Sequence, residues 1–496
     1  MPRGATLRRM LALAAALALA GAWLAARETP PHDAGSDLYT HLSVARHLER
    51  GEGFLCDMAY PLSLTFPFAA RVPQPLVHRP PGYPLLMTLP VAAGGDDPAR
   101  TEALAGRLSL LLLALTALCG AAHALGRGRG DVLLPWLAVM LVNPLLHMTV
   151  GWAQVEIPTA LLLLWLWIRL KDAAASPAGR SSVRAAALSG FLAGAIALLR
   201  GDLFWLPWLW MIWPGRLRDR RGLTVAAACW AVLLAPWWIR NAVLCGDPLF
   251  TLQAYAEHLK QTPAWPGYSI YASLSPESFW HTLGHDPGLI LRKALAGLRY
   301  YATRLDAWLP AVLWGCGALA AVLRFRRSRR LDDPLPVLGA SLAAMILAYA
   351  AFSYTLRYLA VLLPVLTLEM WLAVARETDV RLTGPRGRAA RLAVLAAVTV
   401  ASIWILPARM PGWERARDAA ARSAARLPAA LERLEQAPEG PIFTDSAALL
   451  WYGKRAGVWL PGPETHERAI RALLPEMTRA PTVRQGPDDD GSGEGR

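Results

Sequence analysis

Ser36-Asp37-Leu38-Tyr39 opens, and His78-Arg79-Pro80-Pro81-Gly82-Tyr83-Pro84-Leu85-Leu86 closes, the stretch that decides how this chain is read. Between them runs Ala45-Arg46-His47-Leu48-Glu49-Arg50-Gly51-Glu52-Gly53-Phe54. Leu38, Leu42, Ala45 and Leu48 recur at helical spacing with Arg46, Glu49 and Arg50 turned away, which predicts an interfacial helix over 37–50 ended by Gly51 and Gly53. An acid thus starts the stretch, and an arginine stands in a proline-stiffened turn at its end. Both follow an apolar segment long enough to reach a membrane.

Working outward, the 496 residues are 54% apolar with a mean hydropathy of +0.30, and apolar runs of membrane-crossing length recur. An ordinary soluble enzyme is excluded; the pattern is that of a polytopic, all-α membrane protein. Spans are expected near 9–26, 104–125, 132–149, 154–170, 185–200, 203–214, 223–240, 305–323, 335–352, 356–375 and 391–408, about eleven in all. Residues 1–27 also resemble a signal peptide, but the remaining topology requires a retained span there.

The net charge of +14 sits in short loops between spans. Arg8 and Arg9, Arg127 and Arg129, Arg180 and Arg184, Arg216 to Arg221, Arg324 to Arg330 and Arg376 to Arg388 all fall on one side when the count starts from a cytoplasmic N-terminus. That is the positive-inside pattern, and it argues against a nucleic-acid-binding face. The opposite, periplasmic side receives a long first loop, 27–103, a lid-like loop, 241–304, and the chain after 408. In that tail, 413–436 reads as an amphipathic helix, and 441–444 and 457–460 read as short strands around a helix near 446–453. This predicts a transmembrane domain, 1–408, a small α/β periplasmic domain, 409–480, and a disordered end, 481–496.

Charges on the outer side break the sorting rule and are therefore candidates for a substrate site. Arg79, Arg200, Arg240 and Arg357 are the cations; Asp37, Glu156 and Asp202 are the acids. More guanidinium groups than carboxylates suggests that an anionic ligand such as a lipid phosphate completes the site. Each residue also has a plainer reading. Asp37 and Glu156 suit helix starts, Arg79 suits snorkelling to headgroups, Arg200 and Asp202 suit a self-satisfied hairpin pair, and Arg240 and Arg357 suit interfacial anchors. His258, His281 and His285 read as loop surface, since no acidic or Cys cluster joins them, so no metal site is expected. Cys56 and Cys245 fall in outside loops, where spacing leaves a disulfide open.

Taken in order against the spans, several motifs together resemble GT-C membrane glycosyltransferases, in the branch of bacterial protein O-mannosyltransferases and aminoarabinose transferases. They are the acid-aromatic helix ending Gly51-Glu52-Gly53-Phe54, Arg79-Pro80-Pro81-Gly82-Tyr83, Glu156, Gly190 to Asp202, Pro236 to Asn241 with Gly246-Asp247-Pro248, and Arg357-Tyr358. The resemblance covers roughly residues 5 to 408 and implies a polyprenyl-phosphate sugar as donor, with work done outside the cytoplasm of the bacterial inner membrane. It implies that Asp37 is the general base, that Arg79 contacts the donor phosphate, and that Glu156 lies near sugar or acceptor. Tyr83, Arg200, Arg240, Arg357 and Tyr358 are the further substrate-binding candidates. Many relatives carry a second acid after the first, where this chain has Leu38, which weakens a metal-bridged mechanism; no cofactor is expected.

The chemistry is consistent with those residue types. A sugar leaving a polyprenyl phosphate departs from an anion, so cations hold the leaving group and one carboxylate takes the acceptor proton. Attack from the opposite face predicts inversion. The alternative is a transporter or flippase for a lipid-linked or anionic substrate, which predicts inverted repeats that the sequence does not show. A non-catalytic scaffold would have no use for the outward Arg and acid constellation.

Overall fold

The computed structural model describes residues 37–175, 183–213, 220–263, 269–270, 273–328, 334–405, 413–460, 464–474 and 477–485. The expected first span near 9–26 and the end beyond Gln485 lie outside the described residues. The described chain forms two compact units. One, the span unit, takes 107–236 and 294–405; the other, the loop unit, takes 37–106, 237–293 and 413–485.

In chain order the first helices are α1 (Asp37–Glu49), α2 (Gly82–Gly94), α3 (Pro98–Gly126), α4 (Leu133–Val142), α5 (Pro144–Gly151), α6 (Glu156–Ala175), α7 (Val183–Leu199), α8 (Leu206–Ile212) and α9 (Arg220–Cys245). They continue as α10 (Phe279–His285), α11 (Pro287–Ala302), α12 (Ala311–Ser328), α13 (Pro334–Ala351), α14 (Leu363–Arg381), α15 (Gly384–Ile405), α16 (Trp413–Gln436), α17 (Ala447–Tyr452) and α18 (Glu464–Leu473); a single turn, Leu305–Trp308, precedes α12. Five short strands are β1 (Leu55–Cys56), β2 (Met58–Ala59), β3 (Gln74–Pro75), β4 (Ile442–Thr444) and β5 (Gly457–Trp459).

Among the described residues four helical runs are long and apolar enough to cross a bilayer: α3, α9, α13 and Leu356–Arg381. The pair α4 and α5 makes a fifth if its 62° bend counts as one broken span. The bend has a local cause: Asn143 leaves the helix, and its side-chain oxygen accepts from the amides of Leu145 and Leu146, with Pro144 starting the new helix. The expected span near 203–214 does not form. A 3₁₀ turn at Gly201–Leu203 interrupts the run, and α8 keeps only seven residues, far short of a bilayer crossing.

Inside the span unit, Trp136, Trp167, Trp210, Trp308 and Trp371 are fully buried. Their polar edges find partners where packing permits: the Trp136 indole donates to Thr367 Oγ1 at 3.1 Å and the Trp210 indole to Ser341 Oγ at 2.8 Å. Lipid offers helices no hydrophobic reason to associate, so close backbone approach matters more. Gly190 on α7 provides it: a Cβ there would lie 2.1 Å from the carbonyl oxygen of Ala226 on α9.

In the loop unit α1 ends as its glycines predict, with Gly51 at φ 74° and Gly53 at φ 90°. Its setting differs from expectation. Leu38 through Ala45 are all buried, so it is a core helix rather than an interfacial one; Leu38, Leu42 and Val44 each contribute roughly 1.5–3 kcal/mol of apolar burial. Arg46 is not turned away either: it stacks 3.7 Å from the Trp451 ring centroid and donates to the Trp451 carbonyl at 3.1 Å.

The tail forms the expected strands and helix, yet it is not a domain of its own. β2, from the first long loop, pairs parallel with β5, which pairs parallel with β4, giving the order β2-β5-β4. Ala59, Leu64, Phe443, Val458, Ile470 and Leu474 share one core. The boundary at 408/409 therefore gives way to a unit built from three separated segments. Residues 481–485, expected to be disordered, are held to β4: Thr482 bridges Phe443, and Val483 donates its amide to the Phe443 carbonyl at 2.9 Å.

Candidate active site

Helix α1 brings Asp37 to its own first turn, and the Pro80-Pro81 turn ahead of α2 brings Arg79 to face it. The Arg79 Nη2 donates to Asp37 Oδ1 at 2.5 Å, with side chains 15% and 14% exposed. Forty-two residues apart in sequence, the two form a charge-assisted pair that is mostly but not wholly withdrawn from solvent.

The ground under this pair is polar and tightly cross-braced. Thr40, one turn along α1, hydrogen-bonds the Tyr60 hydroxyl at 2.8 Å, and the Tyr60 ring packs edge-on against His78 at 4.5 Å. His78 is fully buried, and neither ring nitrogen has a hydrogen-bond partner among the described residues. Burial, reinforced by Arg79 and His41, holds its imidazole well below the usual range and so neutral. Tyr83, expected to face the donor, is 1% exposed and packs edge-on against His41 at 4.8 Å. In this arrangement it is a packing residue.

Arg240 also lies in this unit, but on the backbone leading to Arg79. Its Nη1 donates to the Leu76 carbonyl at 2.7 Å and to Asn241 Oδ1 at 3.0 Å, and its guanidinium sits 4.7 Å from the Trp237 ring centroid. Nearby, the Leu252 amide donates to the Val77 carbonyl at 3.0 Å and Asn241 Nδ2 to the Phe250 carbonyl at 3.4 Å. Arg240 thus fixes the approach to the Arg79 turn instead of presenting a free cation. Cys56 and Cys245 are both free thiols.

The span unit assembles the other candidates. Glu156, at the start of α6 and 1% exposed, receives Arg200 Nη1 at 3.2 Å and Arg357 Nε at 3.3 Å on its Oε1. Arg200 also grips Asp202 with two nitrogens, at 2.7 and 3.2 Å, and the Tyr349 hydroxyl bonds the same carboxylate. Arg357 reaches Gln154 Oε1 at 3.4 Å. Tyr358 lies beneath both cations, its ring centroid 4.8 Å from Arg200 and 5.5 Å from Arg357. Two acids here meet two arginines; Glu156 and Arg200 are buried, which explains why their charges are paired, whereas the Asp202 side chain is 40% exposed. One acceptor is left over: Glu156 Oε2 is buried with no hydrogen-bond partner among the described residues.

The histidines correct a further expectation. His258 is fully buried and bonds Thr282 Oγ1 at 2.9 Å, while His281 and His285 are exposed and are joined by an acid, Glu277. The spacing Glu277, His281, His285 repeats every four residues, a helical signal that was legible. Thr40, Tyr60, His78, Gln154 and Tyr349 carried no local signal, because each acquires its role through a contact distant in sequence.

Three solved structures share this arrangement of helices. ArnT from Cupriavidus metallidurans in the apo state aligns at a TM-score of 0.54 and 12% identity, over 95% of this chain and 89% of that one. The same protein bound to undecaprenyl phosphate gives 0.55 and 13% over the same shares. The chain has the fold of the GT-C glycosyltransferases. The oligosaccharyltransferase of Archaeoglobus fulgidus, in complex with Zn and sulfate, aligns at 0.56 and 13% over 94% of this chain and 66% of that one. No family model matches the sequence, and no curated protein matches it.

Proposed function

We propose that this protein is a polytopic integral-membrane glycosyltransferase that moves a sugar from a polyprenyl-phosphate carrier to an acceptor on the periplasmic face of the bacterial inner membrane. The observation that carries the reading is the Asp37–Arg79 pair, a carboxylate and a guanidinium in direct contact and partly open, in a chain with the GT-C fold. Arg79 takes the donor phosphate, which releases Asp37 to accept the proton of the acceptor hydroxyl. As that oxygen bonds to the anomeric carbon, the carbon–oxygen bond to phosphate breaks and its electron pair leaves on the carrier phosphate, held by Arg79. Attack from the face opposite the leaving group inverts the centre.

Within the span unit, Glu156 Oε2 has no hydrogen-bond partner among the described residues and offers an acceptor to a hydroxyl group, while Arg200 and Arg357 hold its other oxygen. Arg240 is a positioning residue for the Arg79 turn. The test is mass spectrometry of cell-envelope glycans and glycolipids from cells with and without the protein, and from cells carrying Asp37→Asn. Loss of one sugar in both the null and the Asp37→Asn cells supports the proposal. An envelope profile unchanged in the null cells, under conditions where the protein is made, overturns it.

A further inference from the structure

The segment around α10 carries a grouping that the transfer chemistry does not use. Glu277, His281 and His285 each offer a ligand atom, and all three atoms lie within 4.8 Å of one another. Four-residue spacing stacks them on one side of the chain as it enters and follows the helix.

Two details distinguish this from an ordinary surface ion pair. His285 donates its Nδ1–H to the His281 carbonyl at 2.8 Å, which fixes the tautomer and leaves Nε2 as the atom bearing the lone pair. Histidines that hold metals characteristically donate their second nitrogen to a carbonyl in this way. Glu277 is meanwhile held from behind: Thr282 Oγ1 donates to its Oε1 at 3.2 Å and in turn contacts His258 Nε2 at 2.9 Å. Its side chain is 19% exposed while His281 is 70% exposed, so the acid is anchored and the imidazole is the adjustable part. At present His281 Nδ1 meets the Glu277 carboxylate directly.

We propose that Glu277, His281 and His285 form a divalent-metal site selective for zinc-like ions, which clamps the coil before α10 to the helix. Two imidazoles and one carboxylate are a nitrogen and oxygen set that suits Zn²⁺, with water as the fourth ligand. Bonds of about 2.1 Å in a tetrahedron set ligand atoms about 3.4 Å apart. The present ligand atoms, within 4.8 Å of one another, have to close to that spacing, and His281, 70% exposed, is the side chain with room to move while His285 keeps its bond to the His281 carbonyl. The site is separate from the proposed transfer chemistry and does not depend on it.

The experiment uses the full-length protein in detergent, purified without a polyhistidine tag, stripped with chelator and titrated with ZnCl₂ alone by calorimetry, with metal content read by elemental mass spectrometry. One Zn²⁺ per chain is expected. His281→Ala and His285→Ala should each weaken binding at least as much as the loss of an outer partner does, about 10- to 100-fold, and the double variant should bind none at this site. Because both histidines are exposed, the variants should melt at the parent's temperature without metal, and only the parent should gain stability on adding Zn²⁺. Absence of stoichiometric binding overturns the assignment, as does an affinity unchanged in the double variant.

Discussion

Replacing Asp37 with Asn removes a charge and keeps the shape, and the structure gives the size of both consequences. The pair it breaks is 14–15% exposed, between the surface limit of about 0–1 kcal/mol and the cost of about 3–5 kcal/mol for orphaning a buried partner, so a loss near 2 kcal/mol of stability is expected. Turnover should fall further, by about 10²–10⁴, the usual contribution of a positioned general base. Arg79→Gln should instead act on the donor: loss of a charge-assisted contact of about 1.5–3 kcal/mol corresponds to about 10- to 150-fold weaker donor binding. The decisive variant is the double substitution. If the pair is only structural, removing both charges restores stability and turnover together; if Asp37 is the base, stability recovers and turnover stays down. Thermal unfolding in detergent, alongside transfer from a polyprenyl-phosphate sugar, reads both. An Asp37→Asn protein turning over within tenfold of the parent, or a double variant regaining activity, refutes the assignment.

Three further outcomes follow from the geometry. His47 lies between Asp57, at 2.9 Å, and Glu52; burial lowers its pKa, but the two carboxylates outweigh burial and the net shift is upward. A raised folded-state value contributes stability that is complete below the ordinary value of about 6.5 and is lost as pH rises through the raised one. The melting temperature should therefore fall across that window in the parent and less steeply in His47→Gln. Arg240→Met removes the donor to the Leu76 carbonyl and should cost about 1–2 kcal/mol in unfolding measurements, with a raised KM for donor as the Arg79 turn loosens; unchanged kinetics would leave Arg240 a simple anchor. Gly190→Ala places a methyl 2.1 Å from the Ala226 carbonyl oxygen and should cost about 1–3 kcal/mol in detergent unfolding, against less for Gly194→Ala, which meets the Leu233 side chain at 3.0 Å.

What the sequence disclosed was mainly local. Helix α1 and its two glycines were readable because periodicity and positive-φ requirements act over a few residues, and so was the order strand, helix, strand in the tail. The break at Asn143-Pro144 was also locally written, in a capping residue followed by a helix-starting proline, although a continuous apolar run concealed it. The Trp-rich run after Arg200 misled for the same reason: apolarity states that a segment is buried or in lipid, not that it is one helix. Partners were not readable. Nothing near Glu156 announces that Arg200 and Arg357, 44 and 201 residues away, converge on one of its oxygens, or that Met58 and Ala59 pair with a strand beyond position 450. Hence candidate residues could be named from the sequence, while the balance of their charges in pairs could not.

That balance changes what substrate binding has to be. A low-dielectric surrounding penalises an uncompensated guanidinium, and Arg79 is accordingly paired with Asp37. On the proposed reading a donor phosphate enters by exchanging partners, and its affinity is the difference between two ion pairs rather than the whole of one. The exchange also orders the chemistry. Until phosphate arrives, Asp37's charge is neutralised by Arg79, so the residue that would take the acceptor's proton becomes available only when the leaving group is in place. On that reading deprotonation of an acceptor without a sugar to receive it is disfavoured, and the same contact that holds the resting loop unit would gate the reaction. With Leu38 beside Asp37, no second carboxylate adjoins it in sequence, and on the proposed reading the exchange is what frees Asp37 for the acceptor's proton.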